Sequence, residues 1–477
     1  MIENEENAVS PSEEAEGEIV VSPEELIPTV DELTSLIEEK RYTELRKKLA
    51  DIPAADIAEL FDSLKEEYYS RFFRLLPKES ASEVFVLVDS DTKEHIIAAF
   101  TDVELASMLN ELYLDDTVDI IEEMPANVVK RILRNSTSEN RSIINQLLRY
   151  PKDSAGTIMT TEYVRFVGTM TVERALAHIR KVAIDKETIY TCYVTDKERH
   201  LLGIVTAKQL LISPLETTLE EIMEEAVIFV NTTDDKELVA KKIDKYGFLA
   251  LPVVDNEHRL VGIVTVDDAI DVINEEAEED FAKMAAITPT ETPYLKTSVL
   301  GIFKARIPWL LLLMVSATFS STILNRFESA LPAVLILFVP MLMDTGGNSG
   351  GQSSVTIIRG ISVGELKMSD ILRIFWKEIS VGIACGVTLG AVAFGKVILV
   401  DRLIMNNPEV TFAVAAIVAV TLALTVIMAK IIGSSLPVLA KRLGFDPAVM
   451  ASPFITTIVV ALELLLYFSV SASFLGL

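Results

Sequence analysis

Residues 341–354 read Met-Leu-Met-Asp-Thr-Gly-Gly-Asn-Ser-Gly-Gly-Gln-Ser-Ser. They set one acid (Asp344), two amides (Asn348 and Gln352) and four glycines, among them Gly346 and Gly347, inside an otherwise apolar stretch. Carboxylate and amide oxygens are the donors a hard cation such as Mg²⁺ prefers. Glycines let an ion or a neighbouring helix come close to the backbone. Polar, glycine-rich backbone at membrane depth is tolerated where it faces protein or a water-filled path. Helix packing through small residues, with Asp344 at an interface, is the competing reading. The acid and the two amides favour an ion path.

The elements that must position this run are apolar helices. Five apolar segments occupy about 307–324, 331–358, 379–400, 412–428 and 448–470. Each is near or above the roughly 20 residues needed to cross a ~30 Å hydrocarbon core. With the N-terminal part in the cytosol, Lys304, Arg306, Arg359, Lys367, Arg373, Lys377, Lys430, Lys441 and Arg442 fall inside, and Arg326, Lys396 and Arg402 fall outside. That bias predicts an odd number of spans, with the C-terminus outside.

Charge divides the chain at about the same place. Residues 1–285 carry 30 Lys+Arg against 60 Asp+Glu, and residues 286–477 carry 13 against 10. Such an acidic front part repels nucleic acid and anionic lipid, and its natural counter-charge is a multivalent cation. Cys192 and Cys385 are far apart and lack metal-ligand spacing, which fits a reducing cytosol. No phosphate loop, nucleophile–His–acid set or His/Cys cluster is present, and the four histidines lie outside the apolar segments, so the chain reads as no enzyme. The acidic opening stretch, residues 1–29, lacks the basic-then-apolar order of a signal peptide and reads as disordered.

Two repeats organise the front part. A 24-residue repeat starts at Pro53, Pro77, Thr101 and Pro125, with apolar or small residues at its fifth, eighth and ninth positions. That spacing predicts stacked helix pairs, an α-solenoid. The second repeat aligns YVTDKERHLLGIVTAKQL from Tyr193 with PVVDNEHRLVGIVTVDDA from Pro252, at an offset of 59. Each copy reads as strand, turn, strand and helix, preceded by a further helix. These units resemble a pair of CBS motifs. The resemblance implies that Thr265 and Asp268 of the second copy hold the ribose of a nucleotide such as ATP. The first copy reads Thr206-Ala207-Lys208-Gln209 and lacks the acid. Residues 267–286 then form an acidic amphipathic helix leading to the membrane part.

The order of these parts, with PMLMDTGGNSGGQSS in the second apolar segment and GFDPAVMASPFITTI at Gly444, resembles the MgtE magnesium transporter family from about Val30 onward. The resemblance implies a multi-domain fold: an α-helical solenoid and an α/β CBS pair in the cytosol, then an all-α five-span membrane domain. The corresponding expected boundaries are a tail at 1–29, solenoid 30–150, CBS pair 151–274, a plug or connecting helix 275–298 and a pore domain 299–477. It implies a homodimer in the plasma (inner) membrane, with both chains lining one pore for Mg²⁺. It also implies that cytosolic Mg²⁺ closes that pore by binding Asp115, Asp119, Asp268, Asp271, Glu276, Glu279 and Asp280. On the pore side the resemblance points to Asn348, and Asp446 joins the candidate ion path. At Val460 the family's membrane-embedded selecting Asp is replaced, while Glu463 supplies an acid three residues later. Three residues along a helix amount to about −60° and ~4.5 Å, so Glu463, with Asp344, is expected to take over the ion through its waters. The Val460 replacement leaves two alternatives: altered selectivity towards Mn²⁺ or Co²⁺, or a Mg²⁺ sensor that does not transport.

Overall fold

The structure is a computed structural model that describes residues 27–290, 294–328, 332–450 and 452–476, so nearly all of the acidic tail lies outside the described residues. The chain divides into two compact units, Met1–Ile273 and Asn274–Leu477.

The first unit begins with a helix pair, α1 (Val30–Glu38) and α2 (Tyr42–Leu49). The 24-residue repeat then becomes four more pairs: α3 (Ala54–Ser63) with α4 (Glu66–Phe73), α5 (Lys78–Leu87) with α6 (Ser90–Ala99), α7 (Asp102–Leu109) with α8 (Leu114–Glu123), and α9 (Ala126–Asn135) with α10 (Ser138–Leu147). Pro53, Pro77 and Pro125 each stand just before a helix, where a missing N–H costs nothing. The copy that lacks proline starts instead with a capping box. There the Glu104 carboxylate accepts the Thr101 N–H at 2.7 Å, and the Thr101 hydroxyl accepts the Glu104 N–H at 3.2 Å. The repeated apolar positions are the core, with Ile57, Phe61, Val84, Phe85, Leu105, Leu109 and Ile132 all buried.

The CBS pair follows with the same topology twice. The first copy is β1 (Tyr163–Val167), α11 (Val172–Val182), β2 (Thr188–Thr195), β3 (Leu201–Thr206) and α12 (Ala207–Ile212), with a short α13 (Leu219–Ile222) after it. The second is β4 (Val230–Asn231), α14 (Lys236–Tyr246), β5 (Ala250–Val254), β6 (Leu260–Thr265) and α15 (Val266–Met284). In each sheet the first two strands are parallel across the helix and the second and third form an antiparallel pair. The acidic connecting helix is the same element as the last CBS helix, because nothing in residues 266–284 breaks the 19-residue α15.

The second unit is helical: α16 (Val299–Glu328), a short α17 (Ala333–Ile336), α18 (Val339–Ser362), α19 (Ile371–Lys396) continued by a π-helical stretch to Ile404, α20 (Phe412–Arg442) and α21 (Ser452–Leu475). Among the described residues, four helical stretches are long and apolar enough to cross a membrane: Val299–Arg326, Met368–Ile404, Phe412–Arg442 and Pro447–Leu475. At 24 residues α18 is about 36 Å long, also enough to span, but its polar residues keep it out of that class.

Two sequence expectations change. Residues 331–358 are not one helix, since the short α17 ends before α18 begins. The fourth apolar segment does not stop near Met428 but runs to Arg442, which puts Lys430 inside α20. Lys430 is buried there, and its Nζ donates to the Ser353 hydroxyl at 3.3 Å. It therefore does not count as a loop charge. The helix can continue because Gly433 packs directly on α18: a Cβ at Gly433 would lie 2.2 Å from the Gly350 carbonyl oxygen.

Candidate functional site

In the second unit the polar run of α18 sorts by face. Asp344, Asn348 and Gln352 recur every fourth residue, about 40° apart around the axis, and all three are exposed. Val355, Thr356 and Arg359 continue the exposed face. The glycines look the other way. Gly346, Gly347, Gly350 and Gly351 are buried; Gly347 lies against Thr456 of α21, and Gly350 against Ile455 and Val459 of α21 and the Ala429 carbonyl of α20. The small residues thus dock α18 on its neighbours, and the acid and amides lie on the opposite, unpacked face.

Glu463 belongs to the docked side. It is fully buried, and a Cβ at Gly346 would fall 2.3 Å from its Oε2 and 2.8 Å from Thr425 Cγ2. Gly346 is two residues from both Asp344 and Asn348, about 200° around the helix. The structure therefore does not bring Glu463 and Asp344 onto one ion. Val460 is buried in an apolar cluster with Leu335, Phe338, Leu342, Leu464 and Phe468, so its side chain is a packing group.

Asp446 is engaged as well. Its Oδ1 caps the Ala448 N–H at 2.8 Å and its Oδ2 meets Lys283 Nζ at 2.6 Å. Lys283 also holds Glu279 at 2.7 Å, while the Asp280 carboxylate accepts the Ser362 hydroxyl at 2.8 Å. Glu276 is half-buried on the same part of α15.

The first unit holds a second cluster of acids. One oxygen each of Asp115, Glu162 and Glu187 lies within 4.8 Å of the others. Asp115 Oδ1 and Glu187 Oε2 are buried with no hydrogen-bond partner, whereas Glu162 Oε2 accepts the Leu114 N–H at 3.3 Å. Burial, then the nearby Asp268, pushes the Asp115 carboxyl well above the usual carboxylate range. Burial, then repulsion from Asp116, raises Glu187 to about 8. Asp116 rises to about 6 through burial and Asp268. Asp268 rises to about 6 through burial, opposed by the Thr265 hydroxyl that donates to it at 2.5 Å. Asp119 is exposed as a residue, yet burial of its carboxylate and then repulsion from Asp268 raise it to about 8, while Asp271 is exposed.

Crowded carboxylates with orphaned oxygens are what a hard divalent cation satisfies. Sequence reasoning named Asp115, Asp119 and Asp268 but missed Glu162 and Glu187. The signal is the strand pairing: β1 and β2 run parallel with Tyr163 beside Thr188, so the residues just before them, Glu162 and Glu187, fall side by side. In the first CBS copy Gln209 stands where the second has Asp268, and it closes a capping box with Thr206.

Comparison with known proteins places these features together. A family model described as a divalent cation transporter, MgtE, matches residues 339–470; the MgtE intracellular N domain matches 52–153; and the CBS domain matches 155–215 and 219–275. The chain is similar to the magnesium transporter MgtE of Thermus thermophilus, 37% identical over 92% of this chain and 97% of that one. It is also similar to that of Bacillus subtilis, 30% identical over 92% and 96%. Among solved structures it is similar to the cytosolic domain of the Mg²⁺ channel MgtE in complex with ATP, at 37% identity and a TM-score of 0.49, covering 51% of this chain and all of that one.

Proposed function

Because the chain belongs to the MgtE family of magnesium transporters, we propose that the Mg²⁺ it moves passes along the exposed polar face of α18. The activity is divalent cation transport by a multi-pass membrane protein, with Mg²⁺ as substrate. Altered preference for Mn²⁺ or Co²⁺, or sensing without transport, is not favoured beside relatives matched over nearly their whole length that are magnesium transporters.

The observation that carries the path is the row Asp344–Asn348–Gln352, exposed on a helix long enough to span. An aspartate facing lipid costs several kcal/mol by insertion scales, roughly 3 at the bilayer centre. A second copy of the chain supplies the missing wall: two such faces across a homodimer axis give oxygens for a Mg²⁺ that keeps its water shell. Gly346 and Gly347 serve the path by docking α18. Asp446 serves it at the inner end, with Lys283 as its present partner. The N-terminal unit then lies in the cytosol and the five helices α16, α18, α19, α20 and α21 span, which puts the C-terminus outside.

The gate rests on the acid cluster. Asp115, Asp119 and Asp268, joined by Glu162 and Glu187, hold Mg²⁺ when it is abundant. Asp271, Glu276, Glu279 and Asp280 extend that binding along α15, the plug helix. Two copies of so acidic a region repel one another until divalent ions bridge them, so low Mg²⁺ opens the path and high Mg²⁺ closes it. A nucleotide at the CBS pair rests on Thr265 and Asp268 alone, and it would draw on an aspartate the metal cluster also uses.

The test is Mg²⁺ flux into proteoliposomes with Mn²⁺ and Ca²⁺ as competitors, for the native chain and for Asp344→Asn. Loss of flux in the variant supports the path. Unchanged flux would move the path off α18.

A further inference from the structure

Glu463 stands apart from both candidate sites. It is 0% exposed, in the middle of α21, and neither carboxylate oxygen makes a well-formed hydrogen bond, although the Thr425 hydroxyl lies beside it. Among the described residues, its surroundings offer no counter-charge. On α18 the facing residue is Gly346, and Asp344 points away on the far face. On α20 the facing residue is Thr425; Lys430, more than a turn further on, gives its amine to Ser353. On α21 itself the next ionisable group is Tyr467, whose hydroxyl donates to the Leu335 carbonyl at 2.8 Å. The charged residues of α16 (Lys304, Arg306, Arg326 and Glu328) lie near its two ends.

An ionised carboxylate in so apolar a place, with no counter-charge beside it, carries a desolvation cost that the neutral acid avoids. The only alternative to a proton is a bound cation. The carboxylate packs so tightly on the bare Gly346 backbone that even a methyl group would clash at 2.3 Å, which leaves no room there for a hydrated ion. The same helices hold further buried polar groups. Thr425 and Thr421, one turn apart on α20, and Ser471, two turns beyond Glu463 on α21, are fully buried with hydroxyls that lack partners. Unsatisfied buried hydroxyls are where ordered waters sit.

We propose that Glu463 is a proton-binding site within each protomer, reached along the Ser471–Thr421–Thr425 hydroxyls, and that loss of its proton loosens the docking of α18 at Gly346. The second half rests on the reading that α18 lines the Mg²⁺ path. The bound species is H⁺ alone: the carboxylate takes it from water and returns it to water, with no other bond made or broken.

The experiment pairs two measurements on the full chain. Infrared difference spectroscopy of the native protein against Glu463→Gln at neutral pH is expected to show a protonated-carboxyl C=O band that the variant lacks. Absence of that band would overturn the site. Mg²⁺ flux in proteoliposomes across about pH 6 to 9 is expected to fall at the alkaline end in the native chain and to persist in Glu463→Gln, which mimics the neutral acid. Superimposable pH profiles would overturn the coupling. The same variant is expected to fold, because an amide replaces a neutral acid of the same shape; collapse of Glu463→Gln at neutral pH would show that the charge was needed and would also overturn the site. If the native chain carried no Mg²⁺ at any pH, the transport reading would fail while the infrared band still decided on Glu463.

Discussion

At the scale of single residues, two aspartates meet opposite environments. Asp344 lies on an open helix face, whereas Asp115 is buried among other acids. Asp344→Asn removes a charge that concentrates cations but breaks no packing. It is expected to lower Mg²⁺ flux roughly tenfold while leaving the unfolding midpoint in detergent unchanged; a fall in the midpoint would mean that Asp344 is structural. Asp115→Asn keeps the shape and removes one ligand oxygen. Its expected effect is loss of the protection from hydrogen exchange that Mg²⁺ gives α8, and full retention of that protection would exclude Asp115 as a ligand.

At the scale of elements, contact between α18 and α20 depends on backbone approaching backbone. Any Cβ at Gly433 meets the Gly350 carbonyl at 2.2 Å, and a carbonyl cannot swing aside as a flexible side chain can. Gly433→Ala is expected to cost about 3 kcal/mol, the upper part of the overpacking range, read as a lowered unfolding midpoint in detergent. Gly346→Ala meets side-chain atoms of Glu463 and Thr425, which can shift, and is expected to cost less. Equal stability of the two variants would show that this close approach does not hold the helices.

At the scale of the whole molecule, the acid cluster links proton and metal binding in the first unit. Glu187, held near 8, and Asp116 and Asp268, held near 6, keep protons that an unfolded chain would release at ordinary carboxylate values near 4. The folded unit therefore binds more protons than the unfolded one between those limits, so its stability is greatest at acid pH and declines as pH rises from about 4 to about 8. A cation that replaces those protons reverses the decline and releases protons on binding. Hydrogen exchange of α8 in the full chain is expected to slow on adding Mg²⁺, and to slow more at pH 8 than at pH 5. An equal effect at both would show that the cluster does not hold the ion.

Much of this was legible from the residues alone, because periodicity follows directly from which positions must be buried. The 24-residue repeat named its own core, as Phe61, Phe85 and Leu109 show, and the 59-residue offset named the paired sheets. The polar run in an apolar segment singled out α18. Tertiary structure decided what depends on which face a residue turns. It put Asp344, Asn348 and Gln352 on the open side of α18 and Glu463 on the docked side. It also carried α20 past Lys430, because a buried lysine can be held by Ser353 once another helix is there to supply it. And it set Glu162 beside Glu187, acids 25 positions apart in sequence, through the parallel register of β1 and β2. Local pattern determines which elements form and what each must bury. Only the packing of one element on another decides which polar groups are left to meet an ion, a proton or a second chain.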